Sequence, residues 1–253
     1  MKLKNKFIYS FSISFLLGLL IFSGCVQIPQ PHLLPQDPRI EQILTTIKTQ
    51  NSNLHTFNGI GSITIIDPYR VSTYRLAWAG QCPDKIRMVV LFSGNPIETM
   101  STDGESLYIK SHNGRHPFIN TKAKNPNLER LISVPVTTEQ VIGFLSGHIP
   151  VQPHDYATLQ KTKDEKGLVL VLKKGNTMVE QFILDDHNRV LDYEIFGDNG
   201  TRYHITLNQH ETSDLLFPNM IQSSQGERSC TIHVEKNTPN PDLTPDTFKI
   251  LNE

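Results

Sequence analysis

The sequence predicts a mainly β protein with a few helices: one large curved antiparallel sheet of about eleven strands, with helices over its open side as a lid. Three observations carry this. From Thr56 onward, apolar residues alternate along short runs instead of recurring at helical spacing. The runs are separated at regular intervals by turn chemistry such as Asp67-Pro68, Ser93-Gly94-Asn95 and Gly175-Asn176. The series is interrupted once, near the middle of the chain, by helical patterning.

A helix precedes the sheet. Asp37 is a suitable N-cap with Pro38 in the first turn, and Ile40, Ile43, Leu44 and Ile47 fall on one face. The first strands are the runs FNGIGSITIID, VSTYRLAW, KIRMVVLF, PIETMS and ESLYIKS. Residues 120–136 read as loop around Asn125-Pro126-Asn127, with Leu128, Leu131 and Ile132 marking one short helix. Thr137 and Gln140 then form a capping box, Val141, Phe144 and Leu145 give the apolar face, and Gly147 and Pro150 end that helix. Strands resume at Tyr156 and continue through LVLVLKK, TMVEQFIL, RVLDYEIFG, RYHITLN, NMIQSSQ and SCTIHVE. Phe248, Ile250 and Leu251 close the chain as an apolar clasp.

Chemistry of the catalytic kind finds little support. Ten histidines are scattered without an HExxH or comparable ligand array. His233-Val234-Glu235 and His210-Glu211 read as surface pairs, and Asp185-Asp186-His187-Asn188 as a polar turn. Gly143-Phe144-Leu145-Ser146-Gly147 lacks the spacing of a nucleophile elbow, and no P-loop or dinucleotide fingerprint occurs. The expectation is a protein without catalytic residues, metal or cofactor.

Apolar inner faces are the positive signal. Alternation groups Tyr74, Leu76 and Trp78 on one strand face and Ile86, Met88, Val90 and Phe92 on another. With Val141, Phe144 and Leu145 these line either a close-packed core or a cavity able to hold a lipid chain. The turn between two of the strands is bracketed by Leu91, Phe92 and Ile97. These point into the core as strand ends, or one of them projects to touch a bilayer.

The N-terminus has a basic start at Lys2, Lys4 and Lys6 and an apolar run from Phe7 to Phe22. A run of this length, followed by Ser23-Gly24, reads as an export signal; the alternative is an uncleaved anchor helix. Phe22-Ser23-Gly24-Cys25 resembles the lipobox of bacterial lipoproteins. The resemblance implies cleavage before Cys25, acylation of its thiol and stable membrane anchoring. Residues 1–24 are then the signal peptide, 25–36 the lipidated N-terminus and a Pro/Gln-rich tether, and 37–253 a single domain. Loss of three lysines from 24 Lys+Arg leaves 21 against 25 Asp+Glu, a formal charge of −4, which disfavours nucleic acid as a partner. Cys82 and Cys230 remain in a compartment that permits disulfides, either paired or as isolated thiols.

The lipobox, the leading helix, NGIGSITI, YRLAW, IRMVVLFSGNPIE and VPVTTEQVIGFLSGHIP together resemble the lipoprotein-localisation (LolA/LolB-like) family, LolB above all. That resemblance implies an unclosed antiparallel barrel with a helical lid, whose apolar cavity receives the acyl chains of another lipoprotein. It also implies delivery by a periplasmic LolA-like carrier and a projecting apolar residue after the third strand. Ile97, within Asn95-Pro96-Ile97, is the first candidate for that role and Phe92 the second. Val26 after the cysteine, by resemblance to enterobacterial sorting, favours the outer membrane. A monomer is expected. The alternative is a non-catalytic accessory lipoprotein with a packed barrel that binds protein partners.

Overall fold

The computed structural model describes residues 37–163, 166–209 and 214–250. The segments expected to be signal peptide and tether, with Cys25, and also His210-Glu211 and Leu251, lie outside the described residues. The chain divides into Met1–Pro35 and Gln36–Glu253, and the second unit holds all the described strands and helices and their core. It therefore has what an independent folding unit needs.

Helix α1, Pro38–Thr49, starts where the sequence places it: the Asp37 carboxylate accepts from the Arg39 N–H at 3.0 Å. Its buried face is Ile40, Ile43, Leu44 and Ile47. Five long or medium strands follow: β1 Thr56–Asp67, β2 Arg70–Gln81, β3 Lys85–Phe92, β4 Asn95–Thr102 and β5 Ser106–Ser111. A short strand, β6 Ile119–Lys122, completes the first half. Then come α2, Glu129–Ile132, and α3, Thr138–Ser146. The second half comprises β7 Tyr156–Lys161, β8 Leu168–Lys174, β9 Thr177–Leu184, β10 Val190–Phe196, β11 Thr201–Gln209, β12 Leu216–Gln225 and β13 Arg228–Pro239. A 3₁₀ turn, Pro245–Phe248, ends the described chain.

All thirteen strands form one antiparallel sheet in the order β6-β5-β4-β3-β2-β1-β13-β12-β11-β10-β9-β8-β7. The two terminal strands of the chain, β1 and β13, pair at its centre, and β6 and β7 are its free edges. The sheet is unclosed, as the predicted fold class requires. Its strand count is thirteen rather than about eleven. One extra strand is β6, whose four residues are all exposed and so carry no alternation to read.

The segment between the two edges is the lid. The capping box of α3 is present: the Gln140 N–H donates to the Thr137 hydroxyl at 3.3 Å, and the Thr137 N–H to the Gln140 side chain at 2.9 Å. Gly147 ends α3 at φ +67, left-handed backbone that a side chain disfavours. The lid is tied to the sheet by the Tyr203 hydroxyl, which donates to the Pro135 carbonyl at 2.7 Å, and by Arg228 with Glu129 at 3.0 Å. At the C-terminus Phe248 is fully buried, and Ser101 of β4 donates to its carbonyl at 2.8 Å, so the clasp closes on the first half of the sheet.

Buried Asn51, just past α1, joins three segments. Its Nδ2 donates to the carbonyls of Ser146 (2.8 Å) and Leu216 (2.6 Å), and its Oδ1 accepts the Leu216 N–H at 3.0 Å. Its φ of 57 is a conformation asparagine tolerates better than most residues. Asn51→Ala orphans three buried backbone groups at about 1–3 kcal/mol each, only partly relieved by water. We expect a stability loss of roughly 3 kcal/mol or more by denaturant unfolding; a loss under about 1 kcal/mol contradicts the clamp.

Candidate functional site

β1 to β4 and β13 carry a row of mostly aliphatic side chains on the face turned toward the lid. Ile63 and Ile65, Tyr74 and Leu76, and Met88 and Val90 form the floor of a cavity of about 280 Å³, which Leu131, Ile132 and Val141 roof. That volume falls just below the roughly 300–1,000 Å³ of small-ligand sites, and so suits one apolar chain better than a bundle of chains.

The alternation that lines the cavity continues into solid core. Trp78, Ile86 and Leu145 are buried there and do not line the open space. Glycines opposite the aromatics explain the change from void to packing. A Cβ at Gly59 would lie 2.4 Å from the Trp78 ring, and one at Gly80 would lie 2.2 Å from the Phe57 ring. Each large ring thus fills the space its facing glycine leaves, whereas the floor residues have no such ring among them except Tyr74. Phe144 packs on Tyr203 with ring centroids 5.4 Å apart and borders a narrow gap of about 20 Å³ beneath α3.

Strand register places one end of the cavity. The β1–β2 turn, the β3–β4 turn and the β5–β6 loop all lie at the same end of the sheet, because alternate turns of a meander share an end. There the lining becomes polar: Arg70, Ser72, Glu98, Arg115, Arg130 and Ser133. His116 meets Glu98 at 2.8 Å. The Pro117 carbonyl, accepting from its ring, and then Glu98 both raise the His116 pKa above the ordinary histidine value.

The projecting residue differs from expectation. Phe92 stands out from the β3–β4 turn with 62% of its surface exposed, while Leu91 is half-buried. Ile97 is half-buried and lines the cavity. A β-bulge is responsible: Val90 pairs with Glu98 and Leu91 with Pro96, so Ile97 is the extra residue and its side chain shares the inward face with Glu98. Sequence reading also missed the neighbouring hairpin tip, where Tyr69 is 96% and Val71 67% exposed. An aromatic following Asp67-Pro68 was the available signal.

Cys82 and Cys230 are both free thiols, so the pairing held open from sequence is absent. Cys230 sits opposite Ile65, whereas Cys82 adjoins Gln81, which faces Thr56. Nine residues of β1 separate those levels, about 30 Å at the rise of an extended strand, far beyond the ~4.4–6.8 Å between Cα atoms that a disulfide allows. Burial pushes the Cys230 thiol up to about 12.

Cys82 lies 3.9 Å from His148 Nδ1, and Ser146 Oγ lies 2.8 Å from the same nitrogen. The trio resembles a nucleophile with a base, but its electrostatics oppose that use. Burial raises the Cys82 thiol, which disfavours thiolate, and lowers His148. Buried Ser146 also bonds the Gly143 carbonyl at 3.0 Å and serves the end of α3. Neither Cys82 nor Ser146 lines the hollow of about 260 Å³ that His148 borders. Asp185 has a structural task as well, accepting the N–H groups of His187 (2.9 Å) and Arg189 (2.8 Å) to hold the β9–β10 turn.

No family model matches the chain, and no curated protein matches it in sequence. Several solved structures are similar to this chain. A LolA superfamily protein from Nitrosomonas europaea is 12% identical, with 83% of this chain and 97% of that one covered and a TM-score of 0.48. A protein described as an outer membrane lipoprotein-sorting domain, from Vibrio parahaemolyticus, is 10% identical over 82% and 94%, with a TM-score of 0.48. A DUF1329 family protein from Desulfovibrio piger is 8% identical over 82% and 95%, with a TM-score of 0.45.

Proposed function

We propose that the protein is a LolB-like envelope lipoprotein, anchored through acylated Cys25 on the periplasmic face of the outer membrane. It takes the acyl chain of a lipoprotein, or of another lipid, into the cavity beneath its lid and helps pass that chain into the membrane. Binding and transfer need no covalent chemistry, and the protein acts as a monomer supplied by a periplasmic LolA-like carrier. A single observation carries this reading: the apolar cavity has its polar end where exposed Phe92, Tyr69 and Val71 stand on two hairpin tips. A solidly packed accessory barrel would have no use for such a void, which costs the dispersion contacts its lining lacks.

Residues 36–253 are therefore expected to take up a fluorescent acyl chain. Val90 faces the cavity and is half-buried, so Val90→Trp fills existing space instead of displacing core. That variant should lose uptake at least tenfold while its midpoint of unfolding holds or rises. Uptake by Val90→Trp equal to that of the wild type would show that the chain binds elsewhere.

A further inference from the structure

The polar end of the cavity is more specific than an acyl-chain site needs. We infer that the ligand is an amphiphile with an anionic head, a phosphate or carboxylate carried on the apolar chain. This rests on the reading of the cavity as an acyl-chain site and adds the chemical class of its ligand.

Arg70, Arg115 and Arg130 reach the cavity from three separate segments, the β1–β2 turn, the β5–β6 loop and α2. Arg70 gives its Nε to Asp67 at 3.2 Å. The guanidinium groups of Arg115 and Arg130 have no hydrogen-bond or ion-pair partner among the described residues; only the Arg115 backbone N–H is engaged, by Ser111 and Asn113. The one carboxylate in the lining, Glu98, is occupied by His116. The cavity end is thus net positive on a chain of formal charge −1. A neutral head leaves the Arg115 and Arg130 guanidinium groups without a counter-charge, Arg70 being paired with Asp67. A phosphate or carboxylate meets their planar forks with charge-assisted bonds.

Residues 36–253 are titrated calorimetrically with dodecyl phosphate, dodecanoate and dodecanol, which share one chain, and with inorganic phosphate alone. The expected result is that both anionic amphiphiles bind at least tenfold tighter than the alcohol, with inorganic phosphate far weaker than either. Arg115→Gln and Arg130→Gln should each cut that preference by roughly tenfold, and Arg115→Lys should retain part of it. Because both side chains are exposed, these variants are expected to keep the wild-type unfolding midpoint. Equal binding of all three amphiphiles, unaltered by the substitutions, overturns the anionic head and leaves the acyl-chain site standing. Inorganic phosphate binding as tightly as dodecyl phosphate overturns the amphiphile in favour of a free anion. No binding of any amphiphile overturns the acyl-chain site and this inference with it.

Discussion

Replacing Glu180 by Gln is expected to raise stability at pH 8 by roughly 3–5 kcal/mol and to change it little at pH 4.5. Glu180 lies on β9 with no exposed surface. One carboxyl oxygen accepts the Gln152 N–H at 2.8 Å, and the other has no partner. Burial is the larger influence and pushes its pKa from 4.5 up to about 8; the Gln152 bond pulls weakly the other way. The folded state therefore holds a proton that the unfolded chain releases near pH 4.5. Its stabilising contribution is complete below that pH and is lost as pH rises through about 8. Glutamine keeps the acceptor for Gln152 without a charge to desolvate. Urea unfolding of both proteins between pH 4.5 and 8 measures the difference, which should widen steadily with pH. A difference that stays flat across that range would mean Glu180 is ionised in the fold.

Glu180 was legible in principle, since in TMVEQFIL it shares a face with Phe182 and Leu184, which puts a carboxylate on an apolar face. The helices were legible because their signals are local: Asp37-Pro38 with the Ile40 to Ile47 stripe, and the Thr137–Gln140 box. So were most strands, through alternation and turn residues. What escaped depends on partners distant in sequence. Tyr74 and Trp78 share one alternating face, yet one lines a void and the other fills it, because Gly59 stands across from Trp78 on β1. Nothing within IRMVVLFSGNPIE announces the bulge that turns Ile97 inward. Arg70 and Arg115 are far apart in the chain, and the sheet order brings them to one end, where Arg130 of α2 joins them.

The second large effect concerns the hairpin tips. Tyr69→Glu with Phe92→Glu is expected to slow hand-over of a bound acyl chain to lipid vesicles by at least a hundredfold, while uptake from solution changes far less. Inserting each exposed aromatic side chain into a bilayer is worth about 1.5–3 kcal/mol, so the pair contributes roughly 3–6 kcal/mol, and each 1.4 kcal/mol is tenfold. Carboxylates at those positions remove that gain and add repulsion from an anionic leaflet. The geometry assigns a different defect to Ile97→Glu. Its side chain lines the cavity, so a charge there should impair uptake of an apolar chain itself. Stopped-flow transfer from residues 36–253 to vesicles, alongside equilibrium uptake, separates the two defects. If Ile97→Glu alone blocks transfer while uptake persists, the bulge points the wrong residue inward and Phe92 is a bystander. If the double variant transfers at the wild-type rate, the hairpin tips do not meet the membrane, and the acyl chain leaves the cavity by another route.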